Sequence, residues 1–269
     1  MDVFFHQNPI FRLEQFAAFK AQTGTQKREA VLQALQYYLR KKRIVSIRRG
    51  LFAVVPPGTS AENLNIDSYA LAGMVTEDSI LSYHSALELH GFAYSLFRKQ
   101  TFKTKHKIKS FEFGETLFQP VYHKRFVQDP NLYKSFTVSV NRNGTDIRMT
   151  SLASTYVDVL DRPELCGGWE EVYRCLSSIS VLPIDDTIKY CLALESPVLC
   201  AKLGFFLEQR KGAFAVSHED LDLLLHRRPK SPYYLAGKST EPSRYHKKWN
   251  LMIPESHLSK AWEEPDAGF

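Results

Sequence analysis

KKRIVSIRRGLFAVVPPG, residues 41–58, is the stretch on which the reading of the fold turns. Ile44 to Arg48 is a β-branched run, and Leu51 to Val55 is a second apolar run. Between them Arg49-Gly50 forms a two-residue connection, with glycine where a hairpin needs positive φ. Pro56 and Pro57 end the second strand, because neither can donate a ladder hydrogen bond. Three cations stand at the entrance of this hairpin and two at its tip. A hairpin so short is marginal alone and must lie against something.

The residues upstream supply the support. Leu13, Phe16 and Ala17 share one helical face, continued by Phe19 and Lys20, until Gly24 interrupts the pattern. Thr25 is a suitable N-cap for a second helix, TQKREAVLQALQYYLRKKR, whose stripe is Val31, Leu32, Leu35, Tyr38 and Leu39. Cations in its last turn, among them Lys42 and Arg43, suit the helix dipole, whereas Lys27 and Arg28 in the first turn do not. Two helices joined by a tight glycine turn and followed by a hairpin make a winged helix-turn-helix. In that fold the second helix enters the major groove N-terminus first and the hairpin tip reaches the backbone or minor groove. The expected DNA contacts are therefore Thr25, Gln26, Lys27, Arg28, Lys42, Arg43, Arg48, Arg49 and Gly50. Solvated charges on a protein-interaction domain are the alternative reading.

Charge distribution points the same way. Residues 1–59 hold ten Lys/Arg against three Asp/Glu, a balance of +7, while the whole chain carries +6, so the other 210 residues sum to −1. A basic module on a nearly neutral body suits a polyanionic partner. No apolar run reaches the ~18 residues of a membrane span. The N-terminal stretch MDVFFHQNPIFRLEQF has no basic head followed by an apolar core, so a cytoplasmic protein is expected. Cys166, Cys175, Cys191 and Cys200 form no CxxC pair and read as buried free thiols.

Pro56 to Ser60 reads as a linker, which gives a DNA-binding domain over 1–58 and a larger mixed α/β domain over 59–269, an α/β (α+β) class overall. Ile66 to Val75 reads as a helix, and a second is expected from Ser79 to His90, capped by Thr76 or Asp78 and closed by Gly91. On it His84 and Glu88 lie four apart and share a face, but His90 is turned about 120° away, and a metal reading lacks its third ligand. Lys103, Lys105, Lys107 and Lys109 alternate with Phe102, Thr104, His106 and Ile108, which predicts one strand with a cationic face. That face is either a contact surface or a lysine guard on a sheet edge. Strands follow at 114–123 and 136–140, with Asn141 to Gly144 as a turn and a strand resuming at Thr145. Helices are then expected over 151–160, 169–179, 185–194 and 197–209, with extended segments at 233–235 and 248–254.

A phosphate-binding glycine loop, a dinucleotide fingerprint, HExxH and GxSxG are all missing from the sequence. Ser82, His84 and Ser85 put hydroxyls beside an imidazole, but neighbours along a helix point apart and form no triad. No enzyme activity, cofactor or metal is expected.

SYHSALELHGF (82–92), TSLASTYVDVLDRPELCGGWEEV (150–172), AKLGFFLE (201–208), KKWNLMIP (247–254) and the wing RRGLFAVVPPG (48–58) stand in this order along the chain. Together they resemble the antitoxins of AbiE-type abortive-infection systems, the type IV toxin–antitoxin systems of bacteria, from about residue 11 to 254. The resemblance implies an N-terminal winged helix that represses its own operon by binding operator DNA at inverted repeats, and a C-terminal domain required for antitoxicity. It implies a nucleotidyltransferase-like toxin as partner, counteracted without a necessary stable complex. Ser82, His84, Ser85, His90, Thr155 and Asp158 match recurring motif positions, and with the four lysines they make up the expected antitoxin surface. Where relatives carry an arginine before the threonine, this chain has Ser154. The alternative is a plain winged-helix regulator whose C-terminal domain binds a ligand or partner.

Overall fold

The computed structural model describes residues 1–25, 27–122, 129–236 and 241–259. The fold is mixed α/β, as expected, and divides into two compact units. The first comprises Met1–Leu81, Phe97–Lys124 and Thr137–Met149, and the second Ser82–Leu96, Arg125–Phe136 and Thr150–Phe269. Residues 1–58 fall in the first unit together with a six-stranded sheet, while keeping an apolar core of their own.

That core belongs to α1 (Asp2–Gln7), β1 (Ile10–Arg12), α2 (Leu13–Gln22), α3 (Arg28–Arg40), β2 (Ile44–Arg48) and β3 (Leu51–Val54). Phe4, Phe5, Phe11, Phe16, Val31, Leu35, Ile44 and Phe52 are buried together. Phe4 meets Phe11 and Phe16 edge-on at 5.3 and 5.6 Å. Each such ring contributes about 1.5–3 kcal/mol on burial. The hairpin forms, its second strand ending at Val54 rather than Val55, and Gly50 turns it at φ +81. β1 adds a third strand, giving the order β1-β3-β2. Two expectations need correction. The helix starts at Arg28 with Lys27 at its N-cap and no side-chain cap, so Thr25 does not cap it. Leu32 leaves the apolar stripe and is 39% exposed.

The six-stranded sheet of the first unit runs β6-β7-β5-β4-β9-β8, from Phe111–Phe113, Thr116–Tyr122, Lys99–Thr104, Ile80–Leu81, Thr145–Thr150 and Thr137–Arg142. α4 (Ser68–Met74), capped by Asp67, packs on it closely enough that a Cβ at Gly73 would strike Ile147. The turn between β8 and β9 is Asn143-Gly144, both at positive φ (50 and 80), as a two-residue hairpin turn requires. The single cationic strand is not formed. β5 stops at Thr104, and it is flanked by β7 and β4, so it is no sheet edge.

In the second unit the helix expected from Ser79 begins only at His84: Ile80–Leu81 is strand β4 of the first unit, and α5 covers His84–His90. Gly91 closes it in the left-handed conformation as anticipated. Asp78 caps nothing; its carboxylate accepts from Thr104 Oγ1 at 2.8 Å and from the Lys105 N–H at 2.6 Å within the first unit. After a short helix, α6 (Pro130–Ser135), come α7 (Leu152–Asp161), α8 (Trp169–Ser178), α9 (Ile184–Ala193) and α10 (Pro197–Gln209), close to their expected bounds. α11 (His218–Leu225) and strand β11 (Ser243–His246) were not anticipated. β11 and β10 (Tyr233–Tyr234) flank β12 (Leu251–Pro254) in a three-stranded sheet, followed by a last turn of helix, α12 (Glu255–Ser259).

Candidate functional site

The first candidate surface lies on the N-terminal elements. Lys27 and Arg28 stand exposed at the start of α3, and Thr25 is half-buried beside them. Gln26 lies outside the described residues. α3 also turns Gln33, Gln36, Tyr37 and Arg40 to solvent on one face. The sequence reading missed this polar face, although the gaps in the apolar stripe mark it. The remaining cations differ among themselves. Arg43 is tied to Asp2 at 2.5 Å and lies over the rings of Phe5 and Tyr38. Lys42 pairs with Glu62 at 3.3 Å on the surface. Arg48 is half-buried with its guanidinium 4.7 Å above the Phe111 ring, so it serves packing. Arg49 is exposed at the tip, and the Gly50 carbonyl accepts from the Leu13 N–H at 2.8 Å, which fixes that tip to the start of α2.

The four lysines are not one set. Lys103 is fully buried in the interior strand β5. Lys105, Lys107 and Lys109 are exposed on the segment that links β5 to β6.

The motif residues of the second unit form a buried polar network. β4 passes into α5 through Tyr83, which is fully buried at φ 57, ψ −132, a conformation that L side chains rarely adopt. This turn aims His84 inward. A Glu88 carboxylate oxygen lies 3.3 Å from His84 Nδ1, and Glu171 Oε1 lies 3.1 Å from Nε2. Glu171 also accepts from the Ser95 N–H and from Ser95 Oγ, both at 2.8 Å, and from Cys175 Sγ at 3.4 Å. Burial works against the charge on Glu171, but these hydrogen bonds outweigh it and hold the carboxyl below its ordinary range. Burial pushes the Cys175 thiol up to about 12.

The other motif positions join the same interior. His90 Nε2 is 2.9 Å from the Thr150 carbonyl, and burial lowers its pKa. Thr155 Oγ1 meets Thr150 Oγ1 at 2.7 Å. Asp158 accepts from the Tyr190 hydroxyl at 2.9 Å, and burial beside this carboxylate drives the phenols of Tyr83 and Tyr190 well above their ordinary value. Ser82 and Ser85 are fully buried, and Ser82 Oγ has no hydrogen-bond partner among the described residues. None of these positions offers an exposed nucleophile. Ser154, at the position of the departure, donates to the Phe136 carbonyl at 2.9 Å.

His84, Glu171 and Cys175 place their donor atoms within 4.8 Å of one another, the third ligand that the helix spacing alone could not supply. Such a donor set suits Zn²⁺ in principle. In this structure the three groups hydrogen-bond to one another, with Glu171 Oε1 serving His84, the Ser95 N–H and Cys175.

No family model matches the chain, and no curated protein does either. Among solved structures the chain is similar to the RV2827C protein from Mycobacterium tuberculosis, known from a crystal structure. The TM-score is 0.55 at 13% identity, over 97% of this chain and 92% of that one. At this identity the likeness is one of fold, extending over nearly the full length of both chains.

Proposed function

We propose that the chain is the antitoxin of a type IV toxin–antitoxin system, which represses its own operon by binding operator DNA and counteracts a nucleotidyltransferase-like toxin in the cytoplasm. The observation that carries the DNA-binding half is the element order of residues 1–54. Two helices meet at a glycine turn, a hairpin folds back on a third strand, and cations stand exposed at the start of α3 and at the hairpin tip. This order supports the winged helix-turn-helix reading, in which α3 is the helix that enters the major groove. Arg28, Gln33 and Gln36 have the donors and acceptors that read base edges, and Arg49 suits a phosphate. The antitoxin half is supported by the motifs that carry the resemblance. Segments 82–92 and 150–172, distant in the chain, meet in one polar interior through His84–Glu171 and His90–Thr150.

Two measurements test the two halves. Full-length protein titrated against a duplex from the promoter upstream of its own gene is expected to bind with a steep salt dependence, and the Arg28→Ala variant to bind it more weakly. Co-expression with the product of the neighbouring gene is expected to restore growth that this product alone arrests. Binding without rescue leaves a plain regulator; rescue without binding removes the repressor role.

A further inference from the structure

Residues 98–110 contain six Lys/Arg and no Asp/Glu; Arg98 pairs with Glu115 at 2.5 Å and Lys107 Nζ lies 5.5 Å over the exposed Tyr122 ring, while Lys105 and Lys109 also stand exposed. β5 is interior and Lys103 is buried in it, so Lys103 guards no sheet edge. The exposed part of the run is held in place. Asp78 accepts from the Lys105 N–H at 2.6 Å, the His106 N–H donates to Thr104 Oγ1 at 3.1 Å, and Ile108 is half-buried. At its far end Phe111 carries Arg48 of the hairpin on its ring. Arg49 and Gly50 of the tip and His106 and Ile108 of the loop line one open cleft of about 420 Å³, with Arg12, Glu14 and Glu77 also on its walls. The loop therefore lies beside the hairpin tip within the first unit.

We infer that Lys107 and Lys109 bind the phosphate backbone of the same duplex whose backbone Arg49 contacts, so that the nucleic-acid surface extends past residue 58 onto the sheet. The inference rests on the operator-binding reading. Phosphate contacts of this kind add affinity and salt dependence but no base discrimination.

The test uses full-length protein, a fluorescein-labelled promoter duplex, a scrambled duplex of equal length, and a KCl series. Lys107→Ala with Lys109→Ala is expected to weaken binding to both duplexes by the same factor and to lower the slope of log K against log salt by about 1.8. Lys107→Arg with Lys109→Arg should restore both. An unchanged slope in the alanine variant, with the wild type binding normally, overturns the inference and leaves the operator reading standing. Normal DNA binding with lost growth rescue also overturns it, and assigns the loop to a protein partner. If the wild type binds neither duplex at low salt, the operator reading fails and the inference fails with it.

Discussion

Adjacent arginines at the hairpin tip have different work. Arg48 lies on Phe111, and Arg49 projects into solvent. Arg48→Ala is therefore expected to cost about 0.5–1 kcal/mol in a urea titration and to leave the salt slope of DNA binding unchanged. Arg49→Ala is expected to spare stability and lower that slope by about 0.9. Glu171 makes a second residue-scale case. Its folded-state pKa lies below the ordinary value of 4.5, so its contribution is complete above that pH and is lost as the pH falls through the folded value. Glu171→Gln should cost about 1–3 kcal/mol at pH 7 and flatten the acid limb of the stability curve measured by denaturant unfolding. Gly204, inside α10, is held by a neighbour rather than by its backbone: a Cβ there would collide with the ring of buried Trp249. Gly204→Ala is expected to destabilise by about 1–3 kcal/mol, although alanine is the better helix former, and chemical denaturation measures it.

At the scale of elements, the hairpins and the long amphipathic helices were legible because their signals are local. Arg49-Gly50 and the stretch Asn141 to Gly144 mark their own turns, the second narrowing to Asn143-Gly144 because β8 runs on to Arg142, and α10 has its expected ends, Pro197 and Gln209. Asn143→Ala should cost about 1 kcal/mol in the same denaturation assay, the strain of a left-handed alanine. Residues 76–90 were misread for a physical reason. Ile80–Leu81 is too short a strand to show a period, and the break before α5 depends on Tyr83 adopting positive φ, which no propensity signals. The lysine alternation failed differently: period two persists past Thr104, where the strand ends, and Lys103 is buried against the usual preference of lysine. For the buried network, the His84–Glu88 spacing could be read from the chain. Glu171 and Cys175 could not, because their approach is set by tertiary packing. The exposed polar face of α3 could have been read from the same helical period that located its core side.

On the scale of the whole molecule, neither compact unit is a continuous piece of chain. Among the described residues the backbone passes from one to the other at 81/82, 96/97, 136/137 and 149/150. A polypeptide cut after Met149 keeps every segment of the first unit but strands α5, whose His84 and Tyr83 are buried in the second. Such a fragment is expected to aggregate or to unfold without a cooperative transition by circular dichroism. Cutting after residue 58 is different in kind, since all eight buried residues of the N-terminal core lie before it.

The same interleaving sets a clock on biosynthesis. Glu171 follows His84 by 87 residues. At translation speeds of roughly 5–20 residues per second, the nascent segment carrying Tyr83, Ala86 and Leu87 waits about 4–17 s for Glu171 to reach His84. Over that interval the emerging chain presents an unshielded apolar stretch, so its production in the cell should depend on trigger-factor-like holdases acting at the ribosome exit.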